Sequence, residues 1–271
     1  MVQIYIILEL LIKTPFDSEN PEINFNKNLT FVFMNFIKNN LANAFTLANL
    51  FSGSVGVIHL INGDYQTTAI CIILSLILDF LDGFVARAMK SNSELGVQLD
   101  SLADMVSFGL LPGIVMYKAL EPFGNQLRGM ELPFEIKYLG LFVTLFSCLR
   151  LAIFNLDDEQ TYYFKGLNTP SNTILLFGLY YAFMETESFK IIFENSLLLI
   201  LITLVSSWLL VSPVKMISLK FKSMKLEDNY PKVALLIGVI LLLIIFKTVG
   251  IPLAMIYYMI ISVIFQKQLK A

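Results

Sequence analysis

Hydrophobic residues dominate long continuous stretches of this chain, and polar residues gather between them. The stretches lack the two-residue alternation of a half-buried or barrel strand. Several approach the roughly 20 residues that a helix needs to cross a hydrocarbon core of about 30 Å. Eight spans are predicted, near 44–62, 66–88, 98–119, 136–155, 170–185, 194–211, 232–247 and 249–266. The last two are short, and Lys247-Thr248-Val249-Gly250-Ile251-Pro252 between them is a turn signal; one kinked segment is the alternative. The pattern therefore predicts an all-α, polytopic transmembrane helical bundle.

Composition supports that picture. Of 271 residues, 56% are hydrophobic and 15% charged, against about 45–50% and about 25% in soluble domains. Mean hydropathy is +0.72. A soluble domain and a disordered chain are both excluded. The net charge of −2 offers nothing to nucleic acid. Cys71 and Cys148 lie in apolar runs and His59 is the sole histidine, which argues against a disulfide framework or a His/Cys metal site.

Charge placement predicts orientation. With eight spans, fourteen of the 19 Lys and Arg residues fall on one side, including Arg87, Lys90, Arg150, Lys165 and the run from Lys215 to Lys232. Lys118, Arg128, Lys137, Lys190 and Lys247 fall on the other. The basic side is expected to be the cytoplasm of an integral cell-membrane protein, with both termini inside. Met1 to Leu11 is apolar but about half a span long, with no basic lead or small-residue cleavage site, so a cleaved signal peptide is not expected. Residues 14–30 read as polar and irregular. Translation starting at Met34 is one expectation for this region, and an amphipathic helix on the membrane surface is the other. The expected organisation is an extension over 1–40, a core over 41–225 and a C-terminal transmembrane pair with a basic tail over 226–271.

Four carboxylates contradict the apolar pattern: Asp79 and Asp82 late in the second span, Asp100 and Asp104 early in the third. A charge at the centre of a span costs roughly 2.5–3.5 kcal/mol on insertion scales. The spacing makes each pair share a helix face, three residues apart in one helix and four in the next. The short link between the helices lets the two faces meet. Four converging carboxylates repel, and two divalent cations would balance them; all-oxygen ligation suits Mg²⁺ or Mn²⁺ rather than zinc. Gly83 and Gly96 allow a ligand close to the backbone, and Arg87 offers a guanidinium for phosphate. The residues alone thus point to metal-dependent phosphoryl transfer at the cytoplasmic interface.

These residues fill the pattern D-x₂-D-G-x₂-A-R-x₈-G-x₃-D-x₃-D with Asp79, Asp82, Gly83, Ala86, Arg87, Gly96, Asp100 and Asp104. On that signature the chain resembles the CDP-alcohol phosphatidyltransferase family. Asn43-Ala44-Phe45-Thr46-Leu47-Ala48-Asn49 is similar to the family's P-N-x-x-T-x-x-N entry, with Ala42 where proline is common. The stretches Ser107-Phe108-Gly109-Leu110-Leu111-Pro112, Cys148 to Asn155 and Phe164 to Pro170 resemble members that use serine as acceptor. They depart from that pattern at Ile153, for Arg, and Asn168, for Pro.

The resemblance implies a six-helix core plus about two extra C-terminal helices, and a homodimer. It implies CDP-diacylglycerol and L-serine as substrates, with phosphatidylserine and CMP as products. Asp79, Asp82, Asp100 and Asp104 would hold two divalent cations, with Asp104 also the general base. Thr46, Asp82, Gly83, Ala86, Arg87 and Gly96 would line the nucleotide pocket. Arg150 is expected to pair with the serine carboxylate, with Asn155 and Ser107 as hydrogen-bonding partners and Lys165 as a further phosphate contact. His59 and Trp208 read as structural or lipid-facing. One rival is a family member making phosphatidylglycerophosphate or an inositol lipid. Another is a cation transporter, which should show two related halves; the chain has no internal repeat.

Overall fold

The computed structural model describes residues 21–89, 93–157, 163–218 and 229–266. Helix α1 runs over Pro21–Ile61 and α2 over Tyr65–Met89. Residues 21–30, expected to be irregular, are helical. A helix already nucleated by its apolar part extends through polar residues at little further cost. The apolar segment from Met1 to Leu11 lies outside the described residues.

The turn between α1 and α2 is built on Gly63, whose φ of 84° is open to glycine without strain. The two helices pack closely because small residues face each other. The Ser52 hydroxyl donates to the Cys71 carbonyl at 2.9 Å, and the Thr68 hydroxyl donates to the Gly56 carbonyl at 3.2 Å. Small residues of this kind let helix backbones approach in a membrane, where burial of apolar surface gives no advantage over lipid.

Helix α3, Glu94–Asp104, is capped by Ser93, whose hydroxyl accepts from the Gly96 N–H at 3.0 Å. One π-helical turn, Met105–Leu110, joins it to α4, Leu111–Leu120. The expected third span is therefore present but not regular. A two-residue ladder, β1 Gln126–Leu127 with β2 Met130–Glu131, lies between α4 and α5, Phe142–Leu156. Strand β3, Tyr163–Lys165, precedes α6, Thr169–Thr186; short α7, Lys190–Phe193, precedes α8, Ser196–Val211. Strand β4, Lys215–Ile217, leads toward α9, Tyr230–Phe246, and α10, Gly250–Ile264.

Among the described residues, five stretches are long and apolar enough to cross a membrane: 40–61, 65–89, 94–123, 136–156 and 230–264. The chain is an integral, multi-pass membrane protein built as a helical bundle. The last stretch comprises two helices rather than one kinked segment. The Tyr257 hydroxyl on α10 donates to the Ala234 carbonyl on α9 at 3.1 Å, and the Tyr230 and Phe265 rings meet at 5.4 Å. The predicted spans at 170–185 and 194–211 exist as α6 and α8 but fall outside that set. Helix α8 has 16 residues. Helix α6 carries polar residues, including Asn172 and Thr173, that neighbouring helices bury. A helix sheathed in protein has no need of an apolar surface.

The main core joins Leu60, Ile72, Leu111, Val115, Leu120 and Leu176. A second cluster under the β3–β4 ladder holds Leu167, Met216, Ile217, Leu235 and Tyr258. Phe51, Ile70, Leu145, Trp208 and Ile244 face outward, as lipid-contacting positions should.

Candidate active site

Carboxylates from α2 and α3 converge as the spacing predicts. Asp79 and Asp82 share one face of α2, and Asp100 approaches from α3. Each of the three offers an oxygen, and these oxygens all lie within 4.8 Å of one another. At that separation, with an effective dielectric of about 20, each pair of full charges repels by about 3 kcal/mol. Asp82 Oδ2 and Asp100 Oδ1 are also buried and meet no hydrogen-bond donor among the described residues. Buried carboxylate oxygens without donors fit a cation as their partner. The donor set is all oxygen, which suits Mg²⁺ or Mn²⁺.

Asp104 differs from the expectation that it joins the cluster. It sits one turn further along α3 and is buried, and its Oδ1 accepts from Asn49 Nδ2 of α1 at 3.4 Å. Asp104 thus lies outside the 4.8 Å group that the other three form. It remains on the wall of the same cavity.

Two cavities flank the carboxylates. One, of about 290 Å³, is lined by Asn43, Thr46, Asp82, Gly83, Ala86, Arg87, Ser93, Gly96, Val97 and Asp100. It brings together all six residues expected around the nucleotide. Gly96 matters sterically here, since a Cβ would stand 3.1 Å from Ser93 Oγ and 3.3 Å from Asn43 Oδ1. The other cavity, of about 420 Å³, is bounded by Asp79, Asp82, Asp100 and Asp104 on one side. Arg150, Phe154, Asn155, Phe164, Asn168, Thr169 and Pro170 bound the other. Asp82, Gly83, Arg87 and Asp100 line both cavities.

Arg150 is buried, so it is not an interfacial anchor. Its Nη1 donates to the Lys165 carbonyl of β3 and, at 3.4 Å, to the Leu210 carbonyl at the end of α8. Its guanidinium lies 5.9 Å from the centre of the Phe154 ring. No carboxylate pairs with it among the described residues. Asn155 is exposed and donates to the Ser101 hydroxyl at 2.8 Å, tying α5 to α3 beside the cavity. Asn168 stands where the pattern has proline. It caps α6, its side chain accepting from the Ser171 N–H at 2.7 Å, so the departure still starts a helix at this wall.

Two expectations change. Ser107 does not reach either cavity; it is fully buried in the π turn and its hydroxyl donates to the Asn49 carbonyl at 3.1 Å. Lys165 pairs with Asp157 at 2.8 Å instead of standing as a phosphate contact. His59 is also not isolated, because its Nδ1 lies 3.0 Å from Asp64 Oδ2 at the α1–α2 turn, far from the site. The run from Lys215 to Lys232 is described only at its two ends; Lys220, Lys222 and Lys225 lie outside the described residues.

Sequence reading missed Asn49, Ser101, Phe154 and Thr169 as parts of this region. Asn49 had a signal, as the final position of the entry stretch. Phe154 and Thr169 lie inside the stretches that resemble the family, and Ser101 adjoins Asp100, but that they face the cavity depends on how α3, α5 and α6 pack.

The family model described as CDP-alcohol phosphatidyltransferase matches residues 39–209. Among curated proteins, the CDP-diacylglycerol–serine O-phosphatidyltransferase of Helicobacter pylori is 32% identical over 166 residues, covering 58% of this chain and 66% of that protein. The protein of that name from Saccharomyces cerevisiae is 31% identical over 171 residues, covering 57% of each. The one from Bacillus subtilis is 28% identical over 170 residues, covering 63% of this chain and 85% of that protein. The match therefore spans less than two thirds of the H. pylori and yeast proteins.

Proposed function

The chain belongs to the CDP-alcohol phosphatidyltransferase family, and from that premise we propose that it transfers the phosphatidyl group of CDP-diacylglycerol to the hydroxyl of L-serine. Phosphatidylserine and CMP are the products. The observation that carries this reading is the pair of cavities meeting at one carboxylate cluster. One has the residues of the family signature, and the other has a buried arginine that no carboxylate pairs among the described residues.

Asp79, Asp82 and Asp100 would hold divalent cations, with Asp104 on the wall of the same cavity. Mg²⁺ or Mn²⁺ held by these carboxylates would supply charge neutralisation for the pyrophosphate and for the CMP leaving group. Thr46, Gly83, Ala86 and Gly96 leave room for the nucleotide, and Arg87 pairs with phosphate. Asp104, outside the cluster and oriented by Asn49, takes the proton from the serine hydroxyl as that oxygen attacks the β-phosphorus. The phosphorus–oxygen bond to CMP breaks as the new one forms. Arg150 receives the serine carboxylate while its Nη1 stays on the Lys165 carbonyl, and Asn155 lines the entrance. The acyl chains lie in the bilayer beside the exposed faces of α2. The active site faces the cytoplasm, on the side rich in Lys and Arg, and the protein works as a homodimer. The catalytic core spans 41–225, and 226–271 is an added transmembrane pair and tail.

The deciding experiment supplies purified protein with Mn²⁺ or Mg²⁺, CDP-diacylglycerol and a panel of acceptors. CMP release is expected with L-serine alone. Equal release with glycerol 3-phosphate or inositol would transfer the assignment to another acceptor.

A further inference from the structure

Strand β4 has one edge on β3, where Tyr163 pairs with Ile217, Phe164 with Met216 and Lys165 with Lys215. Its other edge faces α10 and the residue just beyond it. That helix meets the strand with side chains, as a third strand would with its backbone. The Ser262 hydroxyl accepts from the Ile217 N–H at 3.2 Å, and the Tyr258 hydroxyl donates to the Ile217 carbonyl at 3.0 Å. The Gln266 amide accepts from the Lys215 N–H at 3.2 Å and donates to the Lys215 carbonyl. Both peptide groups facing α10 are therefore held at donor and acceptor alike. Ser262 is fully buried and Tyr258 nearly so, in the cluster with Met216, Ile217 and Leu167.

The strand held in this way leads directly to the second cavity. Its partner β3 supplies the Lys165 carbonyl that accepts from Arg150 Nη1. The chain beyond β3 is fixed too: the Gly166 N–H donates to the Val214 carbonyl at 2.7 Å, and the Leu167 N–H donates to the Leu209 carbonyl at 2.9 Å. Gly166 has φ 76°, and a Cβ there would stand 2.5 Å from the Leu210 carbonyl oxygen. That same carbonyl is the second acceptor for Arg150. The segment from Lys165 to Pro170 then forms the cavity wall at Asn168, Thr169 and Pro170.

We propose that Tyr258, Ser262 and Gln266 are positioning residues for the acceptor pocket, acting through β4 and β3 to set the guanidinium of Arg150. All three lie beyond residue 209, where the family match ends. The C-terminal hairpin is thus a specificity element that holds the serine-carboxylate contact in register. The inference rests on Arg150 binding the acceptor carboxylate, as proposed above. A guanidinium that must meet a carboxylate with two parallel hydrogen bonds is sensitive to small displacements of its support.

The test measures the KM for L-serine and for CDP-diacylglycerol, and kcat at saturation, in the full-length protein. Tyr258→Phe, Ser262→Ala and their double variant remove hydroxyls with little change of volume. Ser262→Thr keeps the hydroxyl. The double variant should raise the serine KM about tenfold, the scale of one or two lost hydrogen bonds. Its KM for CDP-diacylglycerol and its kcat should stay within about twofold, and Ser262→Thr should stay near the parent. An unchanged serine KM, or an equal rise in both KM values, would overturn the proposal. Arg150→Lys is run beside them. If it raises the serine KM while the hairpin variants do not, the hairpin inference fails and the site assignment stands. If Arg150→Lys leaves the serine KM unchanged, the site assignment itself fails.

Discussion

The four aspartates look equivalent along the chain, but their surroundings divide them. Asp79, Asp82 and Asp100 gather their oxygens within 4.8 Å, and two of those residues bury an oxygen that meets no donor among the described residues. Asp104 instead holds a hydrogen bond from Asn49. The first group suits cations and the last suits a proton. Replacing Asp104 by Asn should lower turnover by about 10²–10⁴-fold, the usual worth of a positioned base, while CDP-diacylglycerol binding, followed by nucleotide protection in an equilibrium assay, persists. Asp82→Ala should abolish the dependence on added Mn²⁺ or Mg²⁺ together with activity. In the parent, chelation should stop CMP release and either metal should restore it. These aspartates were legible from sequence because i,i+3 and i,i+4 spacing is a local property of a helix. The roles of Asn49 and Arg150 were only half legible. Their residue types suggested polar work, but their partners lie 55 and 15 residues away.

At the scale of elements, close helix contact depends on small residues. Gly53 on α1 lies against the π turn, where a Cβ would come within 2.2 Å of Ser107 Oγ and 2.7 Å of Ser107 Cα. The backbone contact leaves no room for a side-chain rotation to relieve it. Gly53→Ala should therefore destabilise the bundle by about 1–3 kcal/mol, the usual cost of overpacking, read as a lower thermal midpoint in detergent. Gly63→Ala, in an open turn with nothing within 4 Å of a Cβ, meets backbone strain instead of a clash. Its cost should be smaller, about 1 kcal/mol. Helix existence was readable from apolar run lengths. The π turn at Met105–Leu110 was not, since Ser107, Phe108 and Gly109 are fitted there by α1, α5 and α6 around them. The β3–β4 ladder was equally hidden, because each strand has three residues and its pairing partner lies beyond three helices.

At the scale of the whole molecule, the apolar outer faces and the charge distribution predict one orientation. A cysteine placed by Glu94→Cys, near the carboxylate end of the bundle, should react with a membrane-impermeant thiol reagent only after the cells are opened. One placed by Glu131→Cys, in the β1–β2 ladder at the opposite end, should react in intact cells. The reverse pattern would invert the topology. Run length, the excess of apolar residues and the placement of Asp79, Asp82, Asp100 and Asp104 were enough to establish a helical membrane bundle with a carboxylate site between its second and third spans. Those features depend on helix periodicity and on the cost of charge in hydrocarbon, and both act along contiguous sequence. Tertiary structure alone decided that Asp104 takes a hydrogen bond from Asn49, that Ser107 is buried away from the cavities and that Arg150 rests on a β3 carbonyl. It also decided that the last two helices return as a hairpin to clasp β4. Each of these depends on contacts between segments that neither periodicity nor composition relates.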